Sequence, residues 1–227
     1  MPTENNPVTR FKDREHAADL LISKLKNELK HEIPKEITVF GVPRGGVILA
    51  YSIYQNKIAN YFDIVIPRKL GAPNNKELGI GAIMDNDTVY LNEYVVEALR
   101  VPEDYIVTEK LAQVREIERR TLLYRPKQEE YNIKDKTIIL VDDGAATGAT
   151  LVVSARWIRK RKPKKIIIAI PVAPNETVKL LKNEADEVVT ILIPPTSNFT
   201  SVAQFYDNFE EITDDKVVKI MNAMYQK

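Results

Sequence analysis

The run from Ile138 to Thr150, IILVDDGAATGAT, places two adjacent acids between an apolar stretch and a string of small residues. The apolar stretch reads as a strand. Thr147-Gly148-Ala149-Thr150 reads as the start of a helix. Backbone N–H groups at a helix start favour a phosphate. Small side chains at Ala146 and Ala149 let a phosphate reach the backbone, and the threonine hydroxyls add donors. Each dipole-type contact contributes only ~0.3–1 kcal/mol at an exposed site, so several must converge. Carboxylates repel phosphate, so Asp142 and Asp143 must face another part of the ligand, a sugar diol or a bound cation. A phosphosugar satisfies both ends. The run is not a Walker A loop, because Ala149 stands where a lysine is needed, and it carries no G-x-G-x-x-G dinucleotide fingerprint.

Three further segments hold residues of chemical interest. Val42-Pro43-Arg44-Gly45-Gly46 is a basic, glycine-containing turn after a β-rich run; as a plain turn, its glycines would serve positive φ. Arg68-Lys69-Leu70-Gly71-Ala72-Pro73 opens a polar stretch over 67–79 that reads as a long loop, with Glu77 near its end. Phe199, Phe205, Tyr206 and Phe209 cluster late in the chain, where packing is the commoner use of aromatics. Glu116 and Arg120 lie four apart on a helix and read as a surface ion pair. His16 and His31 read as helix-face residues rather than ligands.

The elements that must position these residues alternate in type. Apolar spacing predicts a helix over 11–30, a strand over 37–42, a helix over 47–58 and a strand over 62–66. One or two strands are expected within 81–91. A long helix over 102–125 carries an apolar stripe of Val107, Leu111, Val114 and Ile117, with Glu109 on its polar face. Thr137 to Val141 suits a central parallel strand buried on both faces. Helix 147–161, strand 165–170, helix 176–183 and strand 188–193 follow, then an irregular aromatic segment over 194–212 and a helix over 214–225. Strand–helix alternation predicts an α/β fold with a doubly wound, mainly parallel sheet. In such sheets ligands sit at the carboxyl ends of strands, which is where each motif falls.

The chain of 227 residues reads as a single domain: a loose tail over 1–9, a core sheet over about 35–193, and a C-terminal portion from 194 to 227. Lys plus Arg is 33 and Asp plus Glu is 32, which speaks against a nucleic-acid partner. Without cysteine, thiolate chemistry and disulfides are excluded. No apolar h-region opens the chain and no run reaches the roughly 18 residues of a membrane span, so a cytoplasmic protein is expected.

At the Ile138–Thr150 run the sequence resembles, at every position, the signature by which type I phosphoribosyltransferases bind 5-phosphoribosyl-1-pyrophosphate (PRPP). The resemblance extends over about Arg10 to Tyr225, toward a group of bacterial and archaeal phosphoribosyltransferases. It implies that Asp142 and Asp143 hold the ribose hydroxyls and act in catalysis, and that Ala146, Thr147, Gly148, Ala149 and Thr150 cradle the 5′-phosphate. It implies that Pro43, Arg44 and Gly45 form the pyrophosphate loop, whose cis peptide would fall at Pro43–Arg44. Arginine suits that place because its planar fork binds phosphate oxygens bidentately. Arg68 and Lys69 would belong to a catalytic loop with adenine-phosphoribosyltransferase-like spacing, Arg68 also touching pyrophosphate. The N- and C-terminal segments would build a small hood, and Glu77, Phe199 or Tyr206 would meet the acceptor. Mg²⁺ would be held mainly through PRPP. A homodimer is expected.

The reaction so implied releases pyrophosphate and joins the phosphoribosyl group to a nucleobase, within nucleotide metabolism and nucleoside salvage. Enzymes for 6-oxopurines carry an aspartate where this chain has Ala146, and a lysine near Pro171-Val172-Ala173-Pro174; both are missing, which turns the reading away from 6-oxopurines. The alternatives are a PRPP-binding regulator without transferase activity, a receiver-like domain, whose acidic pair would stand near the chain start, and a hydrolase passing PRPP to water.

Overall fold

The computed structural model describes residues 8–30, 36–127 and 129–225. The tail over 1–7 and His31 lie outside them. In chain order the elements are α1 (Arg14–Glu28), β1 (Ile37–Gly41), α2 (Gly45–Gln55), β2 (Tyr61–Ile64), β3 (Arg68–Ala72), β4 (Asn75–Asp85), β5 (Thr88–Leu91), α3 (Glu93–Ala98), α4 (Glu103–Tyr124), β6 (Thr137–Val141), α5 (Ala149–Arg159), β7 (Lys165–Val172), α6 (Asn175–Lys182), β8 (Glu187–Leu192) and α7 (Asp214–Tyr225). Strands β2-β1-β6-β7-β8 form one parallel sheet, with β6 in the middle.

The apolar run of β6 has the double burial expected of it. Ile139 and Val141 pack among residues of α1 and α2, whereas Ile138 and Leu140 pack among residues of α5 and α6. A strand buried on both faces loses the alternation that marks a one-sided sheet. The order of strands reverses between β1 and β6, since β1 leads outward to β2 and β6 leads the other way. Gly41 stands opposite Val141 in the register, and the Val42 N–H donates to the Val141 carbonyl at 2.9 Å. The two strands therefore end level, and the segments that follow them emerge side by side at the switch point where such sheets bind ligands.

Two expectations are corrected. The stretch over 67–79 is not an open loop: β3 and β4 pair antiparallel, with Arg68 opposite Ile83 and Lys69 opposite Ala82, and β5 completes a second, three-stranded sheet. The Gly and Pro residues there mark a hairpin turn rather than an irregular segment, and fully buried Leu70 and Ile80 hold the hairpin down. The stripe on α4 is also rotated. Val114 and Ile117 face the core, but Val107 and Leu111 are 56% and 52% exposed. Glu109 turns inward instead, accepting from Gln113 Nε2 at 3.0 Å and bonding to Lys76 and to the Gly71 N–H, so it ties α4 to the hairpin.

The chain ends close over the sheet as a small hood. The Phe11 N–H donates to the Phe205 carbonyl at 2.8 Å and the Asp207 N–H to the Phe11 carbonyl at 2.8 Å, a strand-like exchange far apart in sequence.

Candidate active site at the switch point

Asp142 and Asp143 leave β6 facing the first turn of α2, and the closeness of that turn dictates its glycines. A Cβ on Gly46 would lie 2.5 Å from the Val141 carbonyl oxygen, and one on Gly45 would lie 1.8 Å from Asp143 Oδ2. Neither glycine has positive φ, so close approach, not backbone freedom, explains the pair. The Pro43–Arg44 peptide is cis, at the place the sequence pointed to.

The two aspartates are differently served. Asp143 Oδ2 accepts from Arg14 Nε and Nη2, each at 2.8 Å. Arg14 is 8% exposed, stacks over the Phe209 ring at 3.8 Å and donates Nη1 to the Glu210 carbonyl at 2.7 Å. Tyr206 Oη donates to the Asp143 carbonyl at 2.7 Å. Asp142 has no such cation; its Oδ1 accepts the Asp143 N–H at 2.9 Å. Burial, and then the charge of Asp143, push the Asp142 carboxyl well above the usual range. Burial raises Asp143 as well, but Arg14 opposes the rise. Any proton the pair retains therefore belongs on Asp142, while Arg14 favours the ionised form of Asp143.

Gly148 has φ +74°, which an L side chain adopts only with strain, and it sets the break before α5. No side chain caps α5, so its first N–H groups keep the donor capacity that a phosphate uses. The loop before it is fixed from behind: Ala145 N–H donates to the Val172 carbonyl at 2.9 Å, and Thr177 Oγ1 to the Ala146 carbonyl at 2.5 Å. Ala146 and Thr147 are exposed at the loop's outer side.

A cleft of about 460 Å³ opens between the turn after β1, the two aspartates and the hood, lined on its polar side by Arg14, Arg44, Gly45, Asp142 and Asp143 and on the other by Val202, Phe209 and Ile212. Arg44 points to the hood, where its guanidinium bonds Glu211 and reaches Asp214 Oδ1 at 3.4 Å. Arg68 begins β3 and donates to Gln113 Oε1 at 2.9 Å. Burial first, and the charge of Arg120 next, lower its pKa. Lys69 and Glu77 face each other across the hairpin, Nζ donating to the Glu77 carbonyl at 2.8 Å and standing 3.4 Å from its carboxylate. Their partners lie within the hairpin, and neither lines the cleft around the aspartates. Phe199 leans on Phe205, ring centroids 5.4 Å apart. Tyr206 is 2% exposed between Phe11 and Phe209, so its ring has no face open to a base, a correction to its place among the acceptor contacts.

Sequence reasoning missed several residues that the fold brings here. Arg14 sits at the start of an ordinary amphipathic helix, with no local sign of its partner far along the chain. Arg119 and Arg120 form a conspicuous basic pair on α4, but the reading of Glu116 and Arg120 as a surface pair is only half the arrangement. Arg120 Nε does meet Glu116 Oε1 at 2.7 Å, while Arg119 also reaches Asp214 at 3.8 Å, and Tyr124 Oη donates to the same Asp214 at 2.6 Å.

Comparison with known proteins agrees with this geometry. A family model for the phosphoribosyl transferase domain matches residues 8–210. A protein of Mycobacterium tuberculosis H37Rv, named as a phosphoribosyl transferase on provisional grounds, is 32% identical over 192 residues. The match covers 85% of this chain and 43% of that protein, so the chain spans less than half the length of the curated relative. The crystal structure of TT1426 from Thermus thermophilus is 33% identical with a TM-score of 0.73, over 93% of this chain and 97% of that one. AQ2163 from Aquifex aeolicus, at 14% identity and a TM-score of 0.50 over 80% of this chain and 75% of its own, shares the fold. On the family match and the acid-then-small-residue loop at the switch point, the chain belongs to the type I phosphoribosyltransferase family.

Proposed function

We propose that this protein transfers the 5-phosphoribosyl group of PRPP to a nucleobase other than a 6-oxopurine and releases pyrophosphate. The observation that carries the reading is the level ending of β1 and β6, which sets the Pro43–Gly45 turn against Asp142 and Asp143 at the mouth of the uncapped α5 loop. The C1–oxygen bond to pyrophosphate breaks as a bond from an acceptor nitrogen forms, through an oxocarbenium-like state. The α5 loop holds the 5′-phosphate and Asp142 accepts from the ribose hydroxyls. Asp143, already committed to Arg14, fixes the orientation of that acid. Arg44 and Arg68 stabilise charge gathering on the leaving group. Val202, Phe209 and Ile212 offer an apolar wall for a base.

Among the described residues no group of three or more carboxylates or histidines is placed to hold a metal ion. The proposal assigns Mg²⁺ to PRPP and water oxygens, where the ion would neutralise phosphate charge. Among the described residues no helix is long and apolar enough to cross a membrane, and the proposal places the protein in the cytoplasm. The proposed homodimer is favoured by apolar side chains left outward on α3 and α4, among them Tyr94 at 82% and Leu122 at 62% exposed.

The test mixes protein, Mg²⁺ and PRPP, adds nucleobases singly and follows pyrophosphate release. Asp142→Asn is the control, because Asp143 also anchors the hood. Release that requires one base and fails in the variant names the acceptor. Release without any base favours hydrolysis. PRPP binding without release turns the assignment to a PRPP-binding regulator, and no binding at all defeats it.

A further inference from the structure

We propose that Arg119 and Arg120 of α4 belong to the diphosphate site, and that Glu211 occupies Arg44 of that site until a diphosphate displaces it. The inference rests on the PRPP reading above and names residues and a regulation that reading lacks.

The arrangement is a chain of alternating charges. Glu211 bonds Arg44; Arg44 reaches Asp214 at 3.4 Å; Arg119 reaches Asp214 at 3.8 Å. Arg119 in turn holds Glu116 through Nε at 2.8 Å and Nη2 at 3.0 Å, and Arg120 holds the same carboxylate at 2.7 Å. Arg68 lies close enough to Arg120 for that charge to lower its pKa, after burial, and its own hydrogen-bond partner is the neutral amide of Gln113. Three guanidinium groups from α4 and the turn after β1 thus converge on three carboxylates, with Arg68 of β3 near Arg120. Such a concentration of arginine is the recognition chemistry of a bidentate polyanion.

The carboxylates differ in how firmly they are held. Glu116 is three-quarters buried and bonded to both α4 arginines within its own helix. Glu211 is 78% exposed, and Asp214 is 32% exposed. Glu211 also lines the cleft that contains Asp142 and Asp143. Asp214 also accepts from buried Tyr124 Oη at 2.6 Å and stays in place, whereas Glu211 can swing toward water at small cost, since exposed ion pairs contribute little. When Glu211 leaves, Arg44 is freed within the cleft it lines, with Arg119 tied to it through Asp214. A diphosphate carries more charge on a compact frame than a carboxylate and exchanges for Glu211. The hood segment just before α7 would then move with substrate, coupling diphosphate arrival to closure over the cleft.

The experiment measures binding of three probes to the full-length protein by calorimetry: PRPP with Mg²⁺, inorganic pyrophosphate with Mg²⁺, and ribose 5-phosphate. The variants are R119Q/R120Q and, independently, Glu211→Gln, whose exposed side chain leaves folding intact. The double variant is expected to weaken pyrophosphate and PRPP by about tenfold or more, as for loss of a charge-assisted bond, with ribose 5-phosphate unchanged. Glu211→Gln is expected to tighten pyrophosphate and PRPP by about threefold, on the scale of an exposed ion pair. Equal loss for all three probes, or no loss, means the arginines only brace α4 against α7 and overturns their assignment. Unchanged pyrophosphate affinity in Glu211→Gln overturns the displacement. If the wild type binds PRPP and the double variant binds it equally well, this inference fails alone; if the wild type does not bind PRPP, the PRPP reading fails with it.

Discussion

The two halves of the cleft are built on opposite plans. The half that begins at Asp142 is one continuous segment of small residues, shaped by backbone and braced from behind by Val172 and Thr177. The half around Arg44 is assembled from side chains of distant elements, and its charges neutralise one another. A backbone cradle needs no reorganisation when its anion arrives, whereas a side-chain cluster must first exchange partners. The first plan suits a phosphate that stays on the product, and the second suits a leaving group that must be released.

Arg14 is where the halves are joined, so its loss should be the most damaging. It gives Asp143 two contacts at 2.8 Å and is itself buried. Arg14→Ala leaves a buried carboxylate without its cation, which typically costs about 3–5 kcal/mol. Urea unfolding should read that loss. A loss below about 1 kcal/mol would mean that Asp143 escapes to water or takes a proton, and the two halves are not joined through it.

Next in size is Gly45→Ala. The added Cβ would meet Asp143 Oδ2 at 1.8 Å, so the turn or the carboxylate must shift. Overpacking of this kind costs about 1–3 kcal/mol. The shift acts at the acids, so PRPP affinity should fall by about a hundredfold, given the sensitivity of positioned groups to small displacements. Retained affinity would show that the turn after β1 gives way freely and that the contiguous half is not rigid.

These contrasts also explain what was legible in the sequence. The order of strands and helices could be read because β6 and its neighbours are continuous apolar runs, and the helices carry regular spacing. The α5 loop could be read because all of its parts lie within one segment. The hairpin of β3 and β4 was hidden by Gly71 and Pro73, which mark turns and open loops alike. Glu109 hid the inward face of α4, because a buried acid breaks the apolar stripe and its partners Lys76 and Gly71 lie in another element. Arg14 and Asp214 carry no local signal, and the basic pair Arg119-Arg120 gives none of its partner Asp214, since their meaning depends on contacts that only the tertiary fold supplies.

The adjacent aspartates offer a sharper version of the same comparison, with a change of opposite sign. Asp142 is half-buried with no cation paired to it, and its carboxyl is raised well above the usual 3.8. A raised acid binds its proton more tightly folded than unfolded. Stability from that proton is present below pH 3.8 and is lost as pH rises through the raised value. Asp142→Asn removes the loss, so the variant should gain stability over wild type as pH rises from 4 to 8, the gap narrowing toward pH 4. PRPP binding should meanwhile fall steeply. Unfolding curves that run parallel at every pH would mean that Asp142 is hydrated, and its distinction from Asp143 would collapse.

The smallest effect is expected on the hairpin, and its smallness is informative. Lys69 and Glu77 form a pair whose side chains are 43% and 94% exposed, the kind of contact that contributes at most about 0.5 kcal/mol. Glu77→Gln should leave stability unchanged within that amount. If Glu77 only steadies Lys69, turnover with the acceptor should stay within about twofold, since the Lys69 Nζ keeps its bond to the Glu77 carbonyl. A group that moves a proton on the acceptor contributes about a hundredfold or more. Loss of that size at unchanged stability would bring the hairpin down onto the cleft during the reaction and add a third region to the site, one whose charges meet the acceptor rather than the diphosphate.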